Sequence, residues 1–546
     1  MVYVLKRYKK VFVGLALATI ILLFFATAFH GFYGAEGPDE QFYSIYGHML
    51  ETQGFAHLMY QGIDGVKYLT YGGVALFFWL LGPSNASYIM YASIMYAFTI
   101  LVIFFLGKKL SGYTAGLASA LLYALFPLGI EEVSRGGDDV IMAFFAALSM
   151  LLLIYALYAK SNRNAYLLSL SAGFVAILGI LSVSEEVLSF LPLLLILGYL
   201  VVRHRGNLHY AKLLMMSLLG VEFAILVIMA FSFFAFGTPQ YVPTALINNY
   251  NSTTQHALLG NVKVSPFYGL ENYIEYMFLT NKANKGLFNL SMAETGFYYY
   301  LLVAAGAIAI IYKDRKASLP AVWVLSIFLY LCFGTMSLTS YLQINMGIPV
   351  TRYLLILAPS ATLLIGMAMA DFLEGHPFEK QNKVKNAKEK VKRKNGKSYY
   401  IKVAAVAILL GAIVANDLVQ VNSIKMSMYS YEYPFYNIGK FVNTLPKGSS
   451  ILTVDYNNTM PLPILPFTDY NYNISWTGIN ELNCTIIKQN DYLITVTDNT
   501  LASKCNLVSI YTQPPYPRYL LNHTLFSLSV PLPNVTTNTT YTVYKT

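Results

Sequence analysis

Residues 1–30 read MVYVLKRYKKVFVGLALATIILLFFATAFH, and this stretch decides the class of the chain. A basic start precedes an apolar run from Val11 to about Phe29, long enough to cross a hydrocarbon core of about 30 Å. The run ends in an Ala-Thr-Ala that mimics a signal-peptidase site, but it is longer than the apolar part of a typical signal peptide. Because Lys and Arg flank membrane helices on the cytoplasmic side, we expect an uncleaved first span with its N-terminus in the cytoplasm.

The composition of the whole chain agrees with a membrane protein. Of 546 residues, 56% are hydrophobic and only 12% are charged, which excludes an ordinary soluble protein. Much of the net charge of +10 lies between Lys380 and Lys402, in a basic run enclosed by apolar segments. This run is either a solvated cytoplasmic loop, the interpretation we favour, or a contact for anionic lipid headgroups. Nucleic acid is not an expected partner.

Hydrophobic stretches and their basic flanks predict about eleven transmembrane helices. The segment Leu69–Leu81 is too short to cross the membrane, so we expect it to be re-entrant on the outer side. All nine Asn-x-Ser/Thr sequons then fall outside, as glycosylation sites require. The predicted spans lie near residues 11–29, 88–106, 113–130, 140–158, 165–183, 187–202, 213–236, 297–312, 319–339, 351–371 and 403–421.

This topology divides the chain into two predicted domains. Residues 1–421 form a membrane domain with outer loops at 31–68 and 237–296 and a cytoplasmic basic loop at 374–402. Residues 422–546 form an extracellular domain. The outer sequons and the uncleaved first span fit residence in the plasma membrane or an equivalent membrane.

The C-terminal domain is expected to be a small α/β unit. A helical stretch precedes three β-rich runs separated by Asn, Pro and Gly, and these segments are Tyr436–Leu445, Ser450–Asp455, Tyr492–Val496 and Leu507–Tyr511. Two of the three cysteines, Cys484 and Cys505, also lie here. Outside the cell they can form a disulfide worth roughly 3 kcal/mol, and two unpaired thiols are the open alternative.

An acidic pair follows the first span, within the sequence GPDEQFY at residues 37–43. Pro38 and Asp39 suit the start of a helix, which places Asp39 and Glu40 at the membrane surface. There, one carboxylate can take a proton from a sugar hydroxyl while the other assists. The alternative is that the pair only stabilises the helix N-terminus, an effect worth about 0.3 to 1 kcal/mol.

A second acidic cluster, EEVSRGGDD at residues 131–139, falls in the short outer loop predicted between the third and fourth spans. Its four acids surround Arg135, whose guanidinium can hold a phosphate. Asp138 or Asp139 can then orient Arg135 or bind a sugar hydroxyl. A self-neutralising surface loop is the alternative.

The order of these features resembles that of the GT-C membrane glycosyltransferases, in particular the protein-mannosyltransferase and aminoarabinose-transferase type. The resemblance covers roughly residues 10–375. The matching segments are Asp39-Glu40 with Tyr43, Ser134-Arg135 through Asp139, and Arg352 to Leu355 with Pro359. It implies an α-helical GT-C membrane domain carrying a small C-terminal α/β domain.

The resemblance also implies a chemistry. The donor is a sugar on a polyprenyl phosphate of the dolichyl type, the acceptor is a glycan, lipid or protein, and a hexosyl or pentosyl group is transferred with inversion. Asp39 is the implied base, and Glu40 its neighbour that positions the acceptor or a metal. Arg135 and Arg352 are the implied phosphate contacts, with Tyr43, Asp138 and Asp139 beside them. No full metal-ligand set is visible in the sequence and no cofactor is firmly implied, so a divalent metal, Mg²⁺ or Mn²⁺, stays an open alternative.

Two other functions stay open. An oligosaccharyltransferase has a similar helix bundle, but its Trp-Trp-Asp signature is absent from the C-terminal region. A transporter or lipid-handling protein would use Glu222, near the middle of the span 213–236, as a relay. The alternative for Glu222 is a hydrogen bond within the bundle.

Overall fold

The computed structural model shows a bundle of membrane-type helices that continues into a small sheet domain. The residues it describes are 2–31, 33–34, 38–54, 67–182, 187–205, 207–244, 270–271, 273–274, 277, 298–312, 317–333, 351–374, 396–455, 473–478, 482–496, 503–512 and 541–546. The helices are α1 Val2–Ala28, α2 Pro38–Gln53, α3 Tyr68–Leu81, α4 Asn85–Ser111, α5 Tyr113–Ala124, α6 Pro127–Arg135, α7 Asp139–Leu157, α8 Asn162–Leu178, α9 Val187–Arg203, α10 Leu208–Phe236, α11 Tyr298–Tyr312, α12 Ser318–Phe333, α13 Ala358–Glu374, α14 Gly396–Val442 and α15 Cys484–Ile487.

The predicted spans all have an apolar helix at their place. Among the described residues, seven helices are long and apolar enough to cross a membrane, and the bent pair α5 and α6 adds one more span if counted together. The shorter apolar helices α9, α11 and α12 occupy the remaining predicted positions. The predicted short segment Leu69–Leu81 is α3, which has 14 residues.

The prediction of a loop at residues 131–139 is wrong, because most of this segment is helical. α5 ends at Ala124, and α6 begins at Pro127 after a bend of 53°. Proline lacks the N–H that would continue the preceding helix, but its fixed φ suits the first turn of a new one. The acidic cluster therefore begins on a helix, where residues three and four apart lie side by side.

Small residues bring α8 and α10 into close contact. The Oγ atoms of Ser169 and Ser217 are 2.8 Å apart, and a Cβ added to Gly173 would lie 1.9 Å from the Ser217 carbonyl oxygen. Packing by small residues is typical of helices inside membranes. Glu222 lies on an exposed face of α10, so its position supports neither a relay nor a hydrogen bond in the interior of the bundle.

The C-terminal domain contains a five-stranded sheet in the order β2-β1-β3-β5-β4. The strands are β1 Ser450–Asp455, β2 Asn473–Gly478, β3 Tyr492–Val496, β4 Val508–Thr512 and β5 Tyr541–Lys545. β1 pairs in parallel with β2 and β3, whereas β5 runs antiparallel to β3 and β4. The predicted α/β character and the three predicted strands are confirmed.

The two faces of the sheet are covered differently. Ile438 and Val442, at the end of α14, pack on one face, and a cluster that includes Cys505 packs on the other. Cys484 and Cys505 are joined by a disulfide. The predicted helix at 436–445 is the end of α14, so the last span and the first helix of this domain are one continuous helix.

Candidate active site at one end of the helix bundle

The first turn of α2 lies against α4 and α6. The Tyr88 hydroxyl, on α4, donates a hydrogen bond of 2.9 Å to the backbone carbonyl of Glu40, whose side chain is buried. The N–H of Gly34 donates a bond of 2.8 Å to the carbonyl of Ser134 on α6. These bonds hold Gly34 and the first turn of α2 in place, and they bring the two acidic clusters of the sequence together.

Arg135 lies among three glutamates. Its Nη2 donates to the Oε1 atoms of Glu131 and Glu132 at 2.7 and 2.8 Å, and its Nε lies 3.9 Å from Oε1 of Glu40. Glu131 and Glu132 precede Arg135 by four and three residues on α6, so the helix itself brings them together. Since the Glu132 side chain is fully buried, the guanidinium is held in one orientation.

The two glycines that follow α6 leave room for the side chains of Tyr88 and Glu132. Gly136 has a φ of +73°, a conformation that disfavours a side chain, and a Cβ there would lie 2.6 Å from the ring of Tyr88. A Cβ on Gly137 would lie only 2.2 Å from Oε2 of Glu132. A larger residue at position 137 would therefore push Glu132 away from Arg135.

Tyr43, Lys67 and Asp138 form a second cluster of polar and charged side chains. They come from α2, from the residue before α3 and from the residue before α7. The Tyr43 hydroxyl donates to Oδ2 of Asp138 at 2.9 Å, and Nζ of Lys67 lies 2.9 Å from the same oxygen. Nζ also donates to the Tyr43 hydroxyl at 2.5 Å and lies 4.6 Å from the centre of its ring. The side chains of Lys67 and Asp138 are 13% and 3% exposed, so this is a largely buried ion pair.

The described cluster carries more acid than base. The carboxyl groups are those of Glu40, Glu131, Glu132, Asp138 and Asp139, and the cations are Lys67 and Arg135. Burial strengthens electrostatic interactions, so this end of the bundle can accept protons and bind hydroxyl groups. Within the described ranges, no three His, Cys, Asp or Glu side chains are placed to hold a metal ion.

The structure brings most of the predicted site residues to this one place. Those whose side chains are described here are Glu40, Tyr43, Arg135, Asp138 and Asp139. The backbone of Asp39 lies in the first turn of α2, and that of Arg352 in the 3₁₀ segment Thr351–Leu357, which packs against α6 and α7. The side chains of Asp39 and Arg352 lie outside the described part of the structure.

Sequence reasoning missed Lys67 and Tyr88. Lys67 is far along the chain from Asp138, and no local spacing connects the two. Tyr88 follows the sequon at Asn85 and looks like one more aromatic residue at the start of a span. The sequence gives one indication that Lys67 belongs to the site: this cation lies immediately before the short apolar segment that forms α3.

The chain resembles known proteins both in part of its sequence and in its fold. A family model for dolichyl-phosphate-mannose-protein mannosyltransferase matches residues 72–234. No curated protein matches the chain by sequence. Among solved structures, the chain is similar to ArnT from Cupriavidus metallidurans bound to undecaprenyl phosphate, with a TM-score of 0.54, 13% identity, and coverage of 92% of this chain and 96% of that one.

A second structural similarity points to the same fold. The oligosaccharyltransferase of Archaeoglobus fulgidus, tethered to an acceptor peptide containing the NVT sequon, matches with a TM-score of 0.52 and 10% identity. The alignment covers 90% of this chain and 69% of that one. Both neighbours are GT-C proteins, so the resemblance inferred from the motifs is confirmed. The chain is therefore a multi-span membrane protein with the GT-C glycosyltransferase fold.

Proposed function

We propose that this protein is a membrane glycosyltransferase that moves a sugar from a polyprenyl phosphate of the dolichyl type to an acceptor hydroxyl. The proposal rests on one observation: where α2, α6 and α7 converge, buried carboxylates form ion pairs with Lys67 and Arg135. The fold and the family match, which runs from α3 to α10, support the same class of chemistry.

Asp39 is the proposed base. It takes the proton of the acceptor hydroxyl as that oxygen attacks the anomeric carbon, on the side opposite the phosphate. The bond between the anomeric carbon and the phosphate oxygen breaks, its electron pair leaves with the phosphate, and the configuration inverts. Glu40, whose backbone is fixed by Tyr88 and whose carboxylate lies near Arg135, positions the acceptor.

Cations at the site stabilise the departing phosphate. Arg135 is already oriented by Glu131 and Glu132, so it need not be ordered when the donor binds. Arg352 is the second proposed phosphate contact, since guanidinium groups bind phosphate in a bidentate manner. Lys67 joins them as a third positive group, which a phosphate would reach by competing with Asp138.

We place this site at the outer face of the plasma membrane or an equivalent membrane, with the C-terminal domain extracellular. α4 supports this orientation, because it begins beside the site at Asn85, a predicted glycosylation position. It ends with Lys108 and Lys109 in its last turn. Basic residues mark the cytoplasmic end of a membrane helix, so the site lies at the other end.

Oligosaccharyl transfer to asparagine is the second candidate, favoured by the structural similarity to the Archaeoglobus enzyme. The absence of a Trp-Trp-Asp sequence from the C-terminal region speaks against it. The exposed position of Glu222 speaks against a transport relay through the bundle.

The test uses the full-length protein in nanodiscs with radiolabelled dolichyl-phosphate hexoses and pentoses. Acceptors are a Ser/Thr peptide, an Asn-x-Thr peptide, a glycan and a lipid extract. We expect label on a hydroxyl-bearing acceptor, and its loss in Asp39→Asn. The matched control is Asp491→Asn, at an exposed aspartate of the C-terminal domain, which should leave transfer unchanged.

Three outcomes would contradict parts of the proposal. Transfer of radiolabel to the Asn-x-Thr peptide alone would favour the second candidate, oligosaccharyl transfer to asparagine. Full activity of Asp39→Asn would remove the proposed base, and Glu40→Gln would then be tested in its place. No transfer from any polyprenyl-phosphate sugar by protein that elutes as a single folded species would refute the activity itself.

A further inference from the structure

Lys425 on α14 holds the end of α1. Its side chain is buried, and its Nζ donates to the carbonyl oxygens of Thr27, Ala28 and His30 at 2.8, 2.5 and 2.6 Å. Carbonyls at the C-terminal end of a helix have no partner within the helix, and a cation is favourable there. Lys425 therefore caps α1 from the last helix of the membrane domain.

The same junction reaches the candidate active site. The Ser134 hydroxyl, on α6, donates to the carbonyl of Ala28 at 3.4 Å, and the Ser134 carbonyl accepts the N–H of Gly34 at 2.8 Å. Arg135 is the next residue on α6, and the chain runs on from Gly34 into α2 and Glu40. The end of α1, α6 and the approach to α2 thus meet in one hydrogen-bonded junction that Lys425 supports.

α14 is well anchored to serve as this support. Two turns before Lys425, the buried carboxylate of Asp417 accepts a hydrogen bond of 2.7 Å from the Tyr298 hydroxyl of α11. Beyond Lys425, the helix continues unbroken for about 20 Å to Ile438 in the core of the C-terminal domain. Because α14 is held in both the membrane domain and the C-terminal domain, it is a fixed support for the end of α1.

We propose that Lys425 is a positioning residue for transfer: by holding the end of α1, it fixes where α2 begins and so places the acidic pair relative to Arg135. This inference rests on the proposed function for its kinetic consequence. Its structural consequence, the fixed junction, can be measured without any activity.

The principal variant is Lys425→Met, which keeps the length of the side chain and removes the donors. Lys440→Met is the matched control, because it removes a lysine from an exposed position of the same helix. In the transfer assay we expect kcat to fall at least tenfold in Lys425→Met, with KM for the donor within twofold of the wild type. Lys440→Met should match the wild type in both constants.

Hydrogen–deuterium exchange gives the second measurement. We expect faster exchange in peptides covering residues 27–50 and α6 for Lys425→Met, and no change there for Lys440→Met. If Lys425→Met does not fold, Lys425→Gln, which keeps two donors, should show the same pattern more weakly. Wild-type kcat together with wild-type exchange in the folded variant would overturn the proposal. If the wild type transfers no sugar, the proposed function fails, while the exchange comparison still decides the role of Lys425.

Discussion

We expect substitutions of Lys67 and Asp138, which form a buried ion pair, to have strongly non-additive effects on the free energy of unfolding. Lys67→Met removes the cation that lies 2.9 Å from Oδ2 of Asp138 and leaves a carboxylate that is 3% exposed. Breaking a fully buried ion pair costs about 3 to 5 kcal/mol. Because Lys67 is 13% exposed and water can partly replace it, we expect the lower end, about 3 kcal/mol in the free energy of unfolding.

The double variant of Lys67 and Asp138 shows whether the two side chains stabilise the protein together or independently. Asp138→Asn keeps an acceptor for the Tyr43 hydroxyl and should cost about 1.5 kcal/mol. In Lys67→Met/Asp138→Asn no unpaired charge is buried, so we expect about 2 kcal/mol in total, well below the sum of the single costs. The expected coupling is therefore about 2.5 kcal/mol.

Reversible unfolding in mixed detergent and SDS micelles, followed by tryptophan fluorescence, measures the four free energies. Lys440→Met, at an exposed position, should change stability by less than about 0.5 kcal/mol. Single-variant costs that add within about 0.5 kcal/mol would show that the two side chains are independent and would refute the ion pair as a stabilising unit.

Two further predictions concern other parts of the molecule. Gly137→Ala would bring a Cβ to 2.2 Å from Oε2 of Glu132 and should reduce transfer at least tenfold, whereas Gly198→Ala, with open space around it, should not. Loss of the disulfide in Cys484→Ser/Cys505→Ser should lower the stability of the C-terminal domain by roughly 3 kcal/mol, seen as faster proteolysis of that domain.

The spans were predictable because hydropathy and flanking charge act locally. A run such as Val11–Phe29 must satisfy its own backbone hydrogen bonds in a membrane, so composition alone predicts a helix. The same holds for the strands β1 and β3, whose β-branched and apolar residues are bounded by turn residues. Pro127, where the chain bends, is visible in the sequence. Because the apolar run continues on both sides of it, the start of α6 was not predicted.

The candidate site was predictable only in part, because its contacts connect distant segments. The acidic pair and the cluster around Arg135 stand out by composition, and the resemblance to GT-C proteins puts both into one site. Tyr43 and Asp138 are 95 residues apart, and Lys67 joins them from a third segment, so no local pattern contains this group. Such contacts depend on how α2, α3 and α7 pack, which hydropathy does not determine.

The division of the chain at residue 421 shows why a boundary taken from hydropathy differs from a structural one. Apolar composition ends near Asn422, where the span ends, but the helix continues through Lys425 to Val442. The segment just beyond the span carries the cation that caps α1 and, farther on, the residues that cover the sheet. A chain cut at that boundary would keep the last span intact yet lose the support of the junction beside Glu40. The C-terminal part of α14 therefore belongs to the membrane domain through its contacts at Lys425 and to the sheet domain through its packing at Ile438.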